Sequence, residues 1–360
     1  MKETECPQCG SVLKFEPGTT SLKCPYCSSE FPIDVAKTPI RELDYVETSS
    51  HLEDQGDFEE ISTVKCSGCG AEVTFQPHVS ADQCPYCANS LIDKERISRK
   101  ALKARYLLPF AAKAKETNDL FKQWINGLWF APNSLKKLAQ KDHGITGIYV
   151  PYWTFDADTH TSYQGARGDC YYEPQTHTVV RDGRMVNETV MVRKIKWTPA
   201  EGDVRLQFDD VLVSGSNSLP KEYVQLLEPW DLQNLVSYDD RFLSGFLSET
   251  YQIGPKDGFE SAKTRMDPEI TAAIQVDIGG DLQQVHSAET RYSHVTFKHI
   301  LLPVWISSYR YNNKLYRFLV NARTGEIHGE RPWSAIKIAL FALGTFLAAY
   351  AFAIIAANLS

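Results

Sequence analysis

Eight cysteines fall into two sets that share one spacing. Cys6-x-x-Cys9, fourteen residues and Cys24-x-x-Cys27 make the first set. Cys66-x-x-Cys69, fourteen residues and Cys84-x-x-Cys87 make the second. The copies are offset by 60 residues, and the match reaches past the thiols. Gly10 and Gly70, Phe15 and Phe75, and Pro17 and Pro77 coincide, and Cys-Pro-Tyr-Cys recurs at 24–27 and 84–87. An internal duplication accounts for this. Two residues between cysteines let a tight turn aim both thiolates at one centre. Two such knuckles supply four sulfurs in a tetrahedron at ~2.3 Å from Zn²⁺. Glycine after a knuckle permits φ > 0 and leaves amide N–H groups free to point at sulfur. A ribbon of this size is too short to bury a core, so its metal must supply folding free energy on the order of 10 kcal/mol. Disulfides, redox dithiols and rubredoxin-like iron draw on the same residues. Four paired motifs in a reducing compartment point to structural zinc instead. The expected ligands of two zinc ions are Cys6, Cys9, Cys24 and Cys27, and Cys66, Cys69, Cys84 and Cys87. Four sulfurs close the coordination sphere, so no catalysis is expected at either ion. Cys170 has no partner at motif spacing and reads as a structural cysteine.

The remaining polar residues offer weaker chemistry. No glycine is followed by Lys and no Asp-Glu pair occurs, so Walker A and a helicase-type Walker B are both missing. Val213-Ser214-Gly215-Ser216-Asn217 approaches a nucleophile elbow, but its glycines are misplaced. Asp277, Asp281, His286, His294 and His299 fall close together and could bind a metal or move protons. The plainer reading makes Asp277–Asp281 a β-turn and the histidines ordinary strand residues.

These residues need elements to hold them. The chain has 360 residues, of which 43% are hydrophobic and 23% charged, with a net charge of −7. That excludes wholesale disorder, a collagen-like chain, a many-span transporter and a general basic coat for nucleic acid. The start, Met1-Lys2-Glu3-Thr4-Glu5-Cys6, has no apolar core of a secretion signal. Residues 29–64 hold ten acids against Lys37 and Arg41 and read as an extended acidic linker. Residues 93–141 invert the sign, with twelve Lys or Arg against four acids. Leu120, Trp124, Leu128 and then Leu135 and Leu138 recur near helical spacing, with Ser134 as the N-cap of a second helix. Phe110, Phe121, Trp124, Trp129 and Phe130 could stack bases, though their spacing fits a core better. This basic face could also meet the acidic linker, anionic lipid or nucleic acid. From Gly144 to about Gly329 short strands dominate, with a more helical stretch at 219–250. Tyr309-Arg310-Tyr311-Asn312-Asn313-Lys314-Leu315-Tyr316-Arg317-Phe318 predicts a β-hairpin with an Asn-Asn turn. Tyr149–Trp153 echoes Leu301–Trp305, as two copies of one β unit would.

Ile338–Ala357 carries no charge. A helix of that length spans the ~30 Å core of a bilayer. Arg331 and Lys337, with Arg323 behind them, keep the N-terminal bulk on the cytoplasmic side, and Trp333 sits where an interfacial aromatic belongs. Gly344 and Ala348 give a small-xxx-small pair through which anchors could associate. The expected fold class is therefore α+β and multi-domain. It comprises zinc ribbon 1 (1–28), the acidic linker (29–64), zinc ribbon 2 (65–92) and a basic helical segment (93–143). A β-rich antiparallel domain (144–332) and a C-terminal transmembrane anchor (333–360) complete it.

The tandem ribbons resemble the bacterial TFIIB-type zinc-ribbon-containing proteins. Thr296–Trp305 and Val320–Ser334 are similar to that group's C-terminal signature. Members are often labelled primosomal protein N′ or PriA-like superfamily II helicase. The resemblance implies the zinc ligands and the architecture; without motor motifs it implies no ATPase. The expected function is that of a non-enzymatic, tail-anchored zinc-ribbon adaptor on the cytoplasmic face of the inner membrane, with a protein partner there. The alternatives are a nucleic-acid-binding ribbon protein in replication, and an enzyme built on the β-rich domain. The ribbons are nearly neutral, with three Lys against three Glu in residues 1–28 and one Lys against two acids in 65–88, which disfavours nucleic acid.

Overall fold

The computed structural model describes residues 4–35, 39–50, 58–74, 81–92, 96–135, 145–181, 184–312 and 314–359. β1 (Lys14–Phe15), β2 (Ser21–Lys23) and β3 (Glu30–Pro32) form a small antiparallel sheet in ribbon 1. The rest of the chain is organised around one large sheet. It contains β4 (Leu43–Asp44), β5 (Phe58–Lys65), β6 (Glu72–Thr74), β9 (Arg96–Leu102) and β10 (Tyr106–Leu107). β11 (Thr146–Arg181), β12 (Arg184–Ser214), β13 (Val236–Ser237), β14 (Leu247–Glu249), β15 (Leu282–Tyr311), β16 (Lys314–Asn321) and β17 (Ile327–Gly329) complete it. Ribbon 2 adds a hairpin of β7 (Ala81–Gln83) and β8 (Ser90–Ile92).

The sheet is mixed, which corrects the antiparallel expectation: β10 runs parallel to β15, and β11 parallel to β14. Two other expectations change with it. The stretch read as an acidic linker contributes β5, and the segment read as basic helices contributes β9. These two pair antiparallel, with Glu60 opposite Lys100. The two stretches do meet, but as paired strands in which Glu60 and Lys100 are the one facing pair of opposite charge. In the basic segment one full helix forms, α1 (Ala114–Gly127); the second predicted helix does begin, at Asn133 rather than after Ser134, and its course beyond Leu135 lies outside the described residues. So do Phe75, Pro77, Asn313 and part of the acidic run. Residues 219–250 hold only short helical turns among strands.

Two predictions of local structure are met. β15 and β16 form the hairpin, with Tyr309 opposite Tyr316. The echoed segments lie side by side, Tyr149 opposite Pro303 and Pro151 opposite Leu301. Ile148, Tyr149, Val150, Tyr152, Trp153 and Phe155 are all buried. Such an unbroken run means cover on both faces. On one face Tyr149 and Trp305 pack with ribbon 1 and α1. On the other, Ile148, Val150 and Leu302 pack with ribbon 2. Further along the first face lies α2 (Pro255–Ile278), whose Phe259, Ala262, Met266, Ile270, Ile274 and Ile278 recur every three or four residues and cover Phe155, Ala157 and Phe297.

β11 and β12 then leave the core. β11 has 36 residues and β12 has 31, against a usual five or six. At the point of departure the register shifts on both sides of Asp156–Asp158, and Asp210 and His294 take φ of 52° and 50°. These bulges bend all three strands together. Beyond Gly168, where β15 begins, the arm is two-stranded. From Ala157 to Val180 it extends about 75 Å.

α3 (Ala335–Leu359) is, among the described residues, the one helix long and apolar enough to cross a membrane. Its window Ala335–Ala356 has mean hydropathy 2.3, and none of it is buried. Its entry is fixed by the loop after α1. Lys337 Nζ donates to the carbonyls of Trp129 and Ala131 at 3.2 and 2.7 Å, and Phe130 packs edge-on to Phe341. Trp129 and Trp333 stay exposed beside it. Phe110, Phe121 and Trp124 are core aromatics against Phe246 and Phe318, as their spacing suggested.

Candidate metal centres

The four knuckles fold alike. In each, the residue after the second cysteine donates its N–H to the first cysteine's carbonyl: Gly10 to Cys6 (2.9 Å), Ser28 to Cys24 (3.0 Å), Gly70 to Cys66 (2.8 Å) and Ala88 to Cys84 (2.8 Å). All four have positive φ, from 59° to 78°. Glycine takes this conformation freely; Ser28 and Ala88 are held in it.

Each knuckle pair converges on one point. In ribbon 1 the sulfurs of Cys6 and Cys27 lie 3.6 Å apart and those of Cys9 and Cys24 3.5 Å apart. In ribbon 2 Cys66 and Cys87 are 3.4 Å apart, and Cys69 and Cys84 3.6 Å. A disulfide needs about 2.05 Å, so none is formed. A tetrahedron of ~2.3 Å metal–sulfur bonds has edges of about 3.8 Å. Both sets therefore fit one tetrahedral metal ion each. Hydrogen bonds within each set split the thiols: the Ser29 hydroxyl pulls Cys27 down, and the Cys84 hydrogen bond pulls Cys69 down.

The surroundings of the two centres differ. Cys9 and Cys27 are exposed, whereas Cys66, Cys84 and Cys87 are buried. Ribbon 1 is fixed by Phe15, which meets Phe242 edge-on at 5.1 Å, and by the Gly18 N–H donated to the Phe110 carbonyl at 2.9 Å. Its knuckle residue Tyr26 is 84% exposed. The equivalent Tyr86 of ribbon 2 is 0% exposed and donates its hydroxyl to Glu249 Oε2 at 2.6 Å. Glu249 is itself buried. Ser216, Ser218 and Gln252 also donate to it. Burial pushes its carboxyl up to about 7 despite these donors. Ser216 of the near-miss elbow thus serves a buried carboxylate, while Ser214 bonds the Ser216 backbone.

The other predicted cluster does not assemble. Asp277 accepts from Tyr163 at 2.5 Å, Asp281 accepts the Cys170 N–H at 2.7 Å, and exposed His294 pairs with Asp158 at 2.9 Å. His299 is buried against Trp153, with Nδ1 on the Leu102 carbonyl, and burial lowers it to about 4, so it stays neutral. His286 is exposed on β15. Cys170 Sγ accepts from Arg193 at 2.8 Å.

A group that the sequence did not single out does assemble. Asp156, Asp209 and Asp210 converge at the root of the arm. Lys298 Nζ lies 2.6 Å from both Asp210 and Glu42, so an ammonium fills the place a cation would take. Burial, with Glu42 beside it, raises Asp156 to about 7. Burial also pulls Glu42 upward, but hydrogen bonds from Asp156 and Lys298 outweigh it and hold Glu42 near 2. A cavity of about 530 Å³ opens between ribbon 1 and the start of α1, crossed by the 3.2 Å Lys113–Glu16 ion pair.

No protein-family model and no solved structure matches the chain. The chain is similar to an uncharacterized protein, YdjG, of Bacillus subtilis strain 168. The two are 26% identical over 353 residues, covering 96% of this chain and 95% of that protein.

Proposed function

We propose that the chain is a membrane-anchored adaptor in which two structural zinc ions fix the ribbons and ribbon 1 presents a docking surface. Its likeness to TFIIB-type zinc-ribbon proteins extends, in this reading, to the metal ligands and to nothing of a motor. α3 enters the inner membrane from the cytoplasmic side, with Trp129, Trp333, Arg331 and Lys337 at the interface. The observation that carries the reading is the contrast between the two tyrosines. One Cys-Pro-Tyr-Cys knuckle is used to bolt ribbon 2 to the sheet, while its duplicate holds Tyr26 out in solvent on a rigid, metal-fixed turn. An exposed aromatic on a rigid support is what a protein-binding hot spot needs. Zinc suits four thiolates closed around one ion, and a closed sphere serves structure.

The test uses the full chain in its native membrane. A photo-crosslinking side chain at position 26 captures one membrane-associated protein, and the same group on exposed Val276 of α2 does not. Two zinc ions per chain are found by elemental analysis. Capture at neither position overturns the adaptor reading. Binding of single-stranded or duplex probes that survives physiological salt and is lost in Cys66→Ser/Cys69→Ser favours the nucleic-acid alternative.

A further inference from the structure

Outside α3, the distal arm is the long described element that projects from the core with no other element packed on it. Beyond Gly168, β11 and β12 continue as a bare two-stranded ribbon. Among the described residues β12 pairs with β11 alone, so the outer edge of its distal part, Arg184–Thr198, has no partner strand. Nearer the core the strand is engaged: the Leu212 carbonyl accepts from Arg265 and the Asp210 N–H donates to Asp156. Large apolar side chains stand in water beside the distal edge: Val180 is 68% exposed, Met185 81% and Met191 57%. A lone two-stranded ribbon is marginal in water, and proteins seldom leave a long apolar edge open.

We propose that this edge pairs with the same edge of a second copy of the chain, antiparallel and centred on Met191. The sequence of β12 is complementary to itself in that register. Glu188 stands opposite Lys194 of the partner subunit, and Met185 opposite Trp197 of the partner subunit. Val190 stands opposite Val192 of the partner subunit, and Met191 meets its own copy on the two-fold axis. Each off-axis pair occurs twice, as an isologous interface requires. Facing residues keep to one side of the sheet, so the pairing yields a continuous four-stranded arm with Met185, Met191 and Trp197 of both copies on one face. Cross-strand pairs of these kinds contribute roughly 0.2–1 kcal/mol each. Other centres lose the match: centring on Val190 sets Glu188 against Val192, and centring on Val192 sets Met185 against Pro199. The proposal stands on the arm alone and does not depend on the adaptor reading.

The full chain in detergent, with Cys170→Ser to remove the native thiol of the arm, tests it. Met191→Cys forms a disulfide-linked dimer under mild oxidation, because facing Cα atoms at 4.5–5.5 Å suit a disulfide. Asn187→Cys stays free of the disulfide, since its two copies stand about 26 Å apart in this register. By light scattering Glu188→Lys raises the dimer Kd at least tenfold, and Glu188→Lys/Lys194→Glu restores it. A monomer at micromolar concentration, equal cross-linking at 187 and 191, or no recovery in the double variant overturns the proposal.

Discussion

Ribbon 1 and ribbon 2 carry the same four-cysteine pattern and fold their knuckles alike, yet they occupy opposite faces of the central sheet. Ribbon 2 is built into that sheet: β5 and β6 are sheet strands, β6 pairs with β14, and Tyr86 reaches a buried carboxylate. Ribbon 1 keeps a three-stranded sheet of its own and leans on the core through Leu13, Phe15 and Leu22. The duplicated motif therefore fixes a metal centre without fixing which side of it is buried. The strands on either side of each motif decide that. Ribbon 2 is entered through β5 and left through β9, which pair with each other in the sheet, whereas the chain after ribbon 1 reaches the sheet only at β4, beyond the ribbon.

Removing a ligand should expose the difference most. Cys84→Ser in ribbon 2 frees β5, β6 and the buried cluster they support, and it lowers stability by several kcal/mol. Cys27→Ser in ribbon 1 leaves Phe15 and the main sheet in place and costs clearly less; thermal melts of the two variants measure the gap. Chelation separates the centres in time. A colorimetric chelator releases one metal equivalent quickly, and that phase vanishes in Cys27→Ser, because only ribbon 1 exposes two of its sulfurs.

The tyrosines sharpen the comparison at a smaller scale. Tyr86→Phe takes a donor from buried Glu249 and costs about 1–3 kcal/mol, whereas Tyr26→Phe changes stability by less than about 0.5 kcal/mol. Urea midpoints distinguish them. Glu249 also gives ribbon 2 a pH signature. Folded, it holds its proton up to about pH 7; unfolded, only to the usual value of 4.5. Between the two, the folded state binds more protons. Its contribution to stability therefore falls as pH rises from about 4.5 to about 7 and levels off above it. Glu249→Gln removes that contribution from the pH profile, and ribbon 1 variants leave it in place.

The legible part of this molecule is the part whose spacing is itself the chemistry. Cys-x-x-Cys at a fixed separation fixes four sulfurs locally, so both four-cysteine clusters could be read from the chain. The uncharged run at 338–357 marks an apolar helix for the same reason: length and composition suffice. Sheet membership was not local. β5 and β9 were hidden in stretches whose charge dominated their pattern, and their partners lie some 40 residues apart in the chain. The arm was hidden too, because Val179-Val180 and Val190-Met191-Val192 look like separate short strands. Nothing in the alternation says that one strand runs through both polar and apolar stretches for more than 30 residues. Lys298 gave no signal either, since the carboxylates around it come from three distant segments.

The smallest difference between the ribbons is a hydroxyl group, Ser28 against Ala88. Both N-terminal knuckles end on glycine, at Gly10 and Gly70, and both C-terminal knuckles do not, at Ser28 and Ala88. The left-handed conformation costs a residue with a Cβ roughly 1–2 kcal/mol relative to glycine. Glycine also loses more freedom on folding, by roughly 0.5–1 kcal/mol, which offsets part of that. Ala88→Gly should therefore stabilise the protein by about 0.5–1 kcal/mol in urea titrations. Ser28→Gly relieves the same strain, but Ser28 sits in the more exposed ribbon, where local opening does not unfold the sheet. Its benefit should appear as slower metal release from ribbon 1, with little change in the global midpoint. Equal shifts in midpoint for the two variants would mean that the ribbons unfold as one unit, and the contrast drawn from their burial would fail.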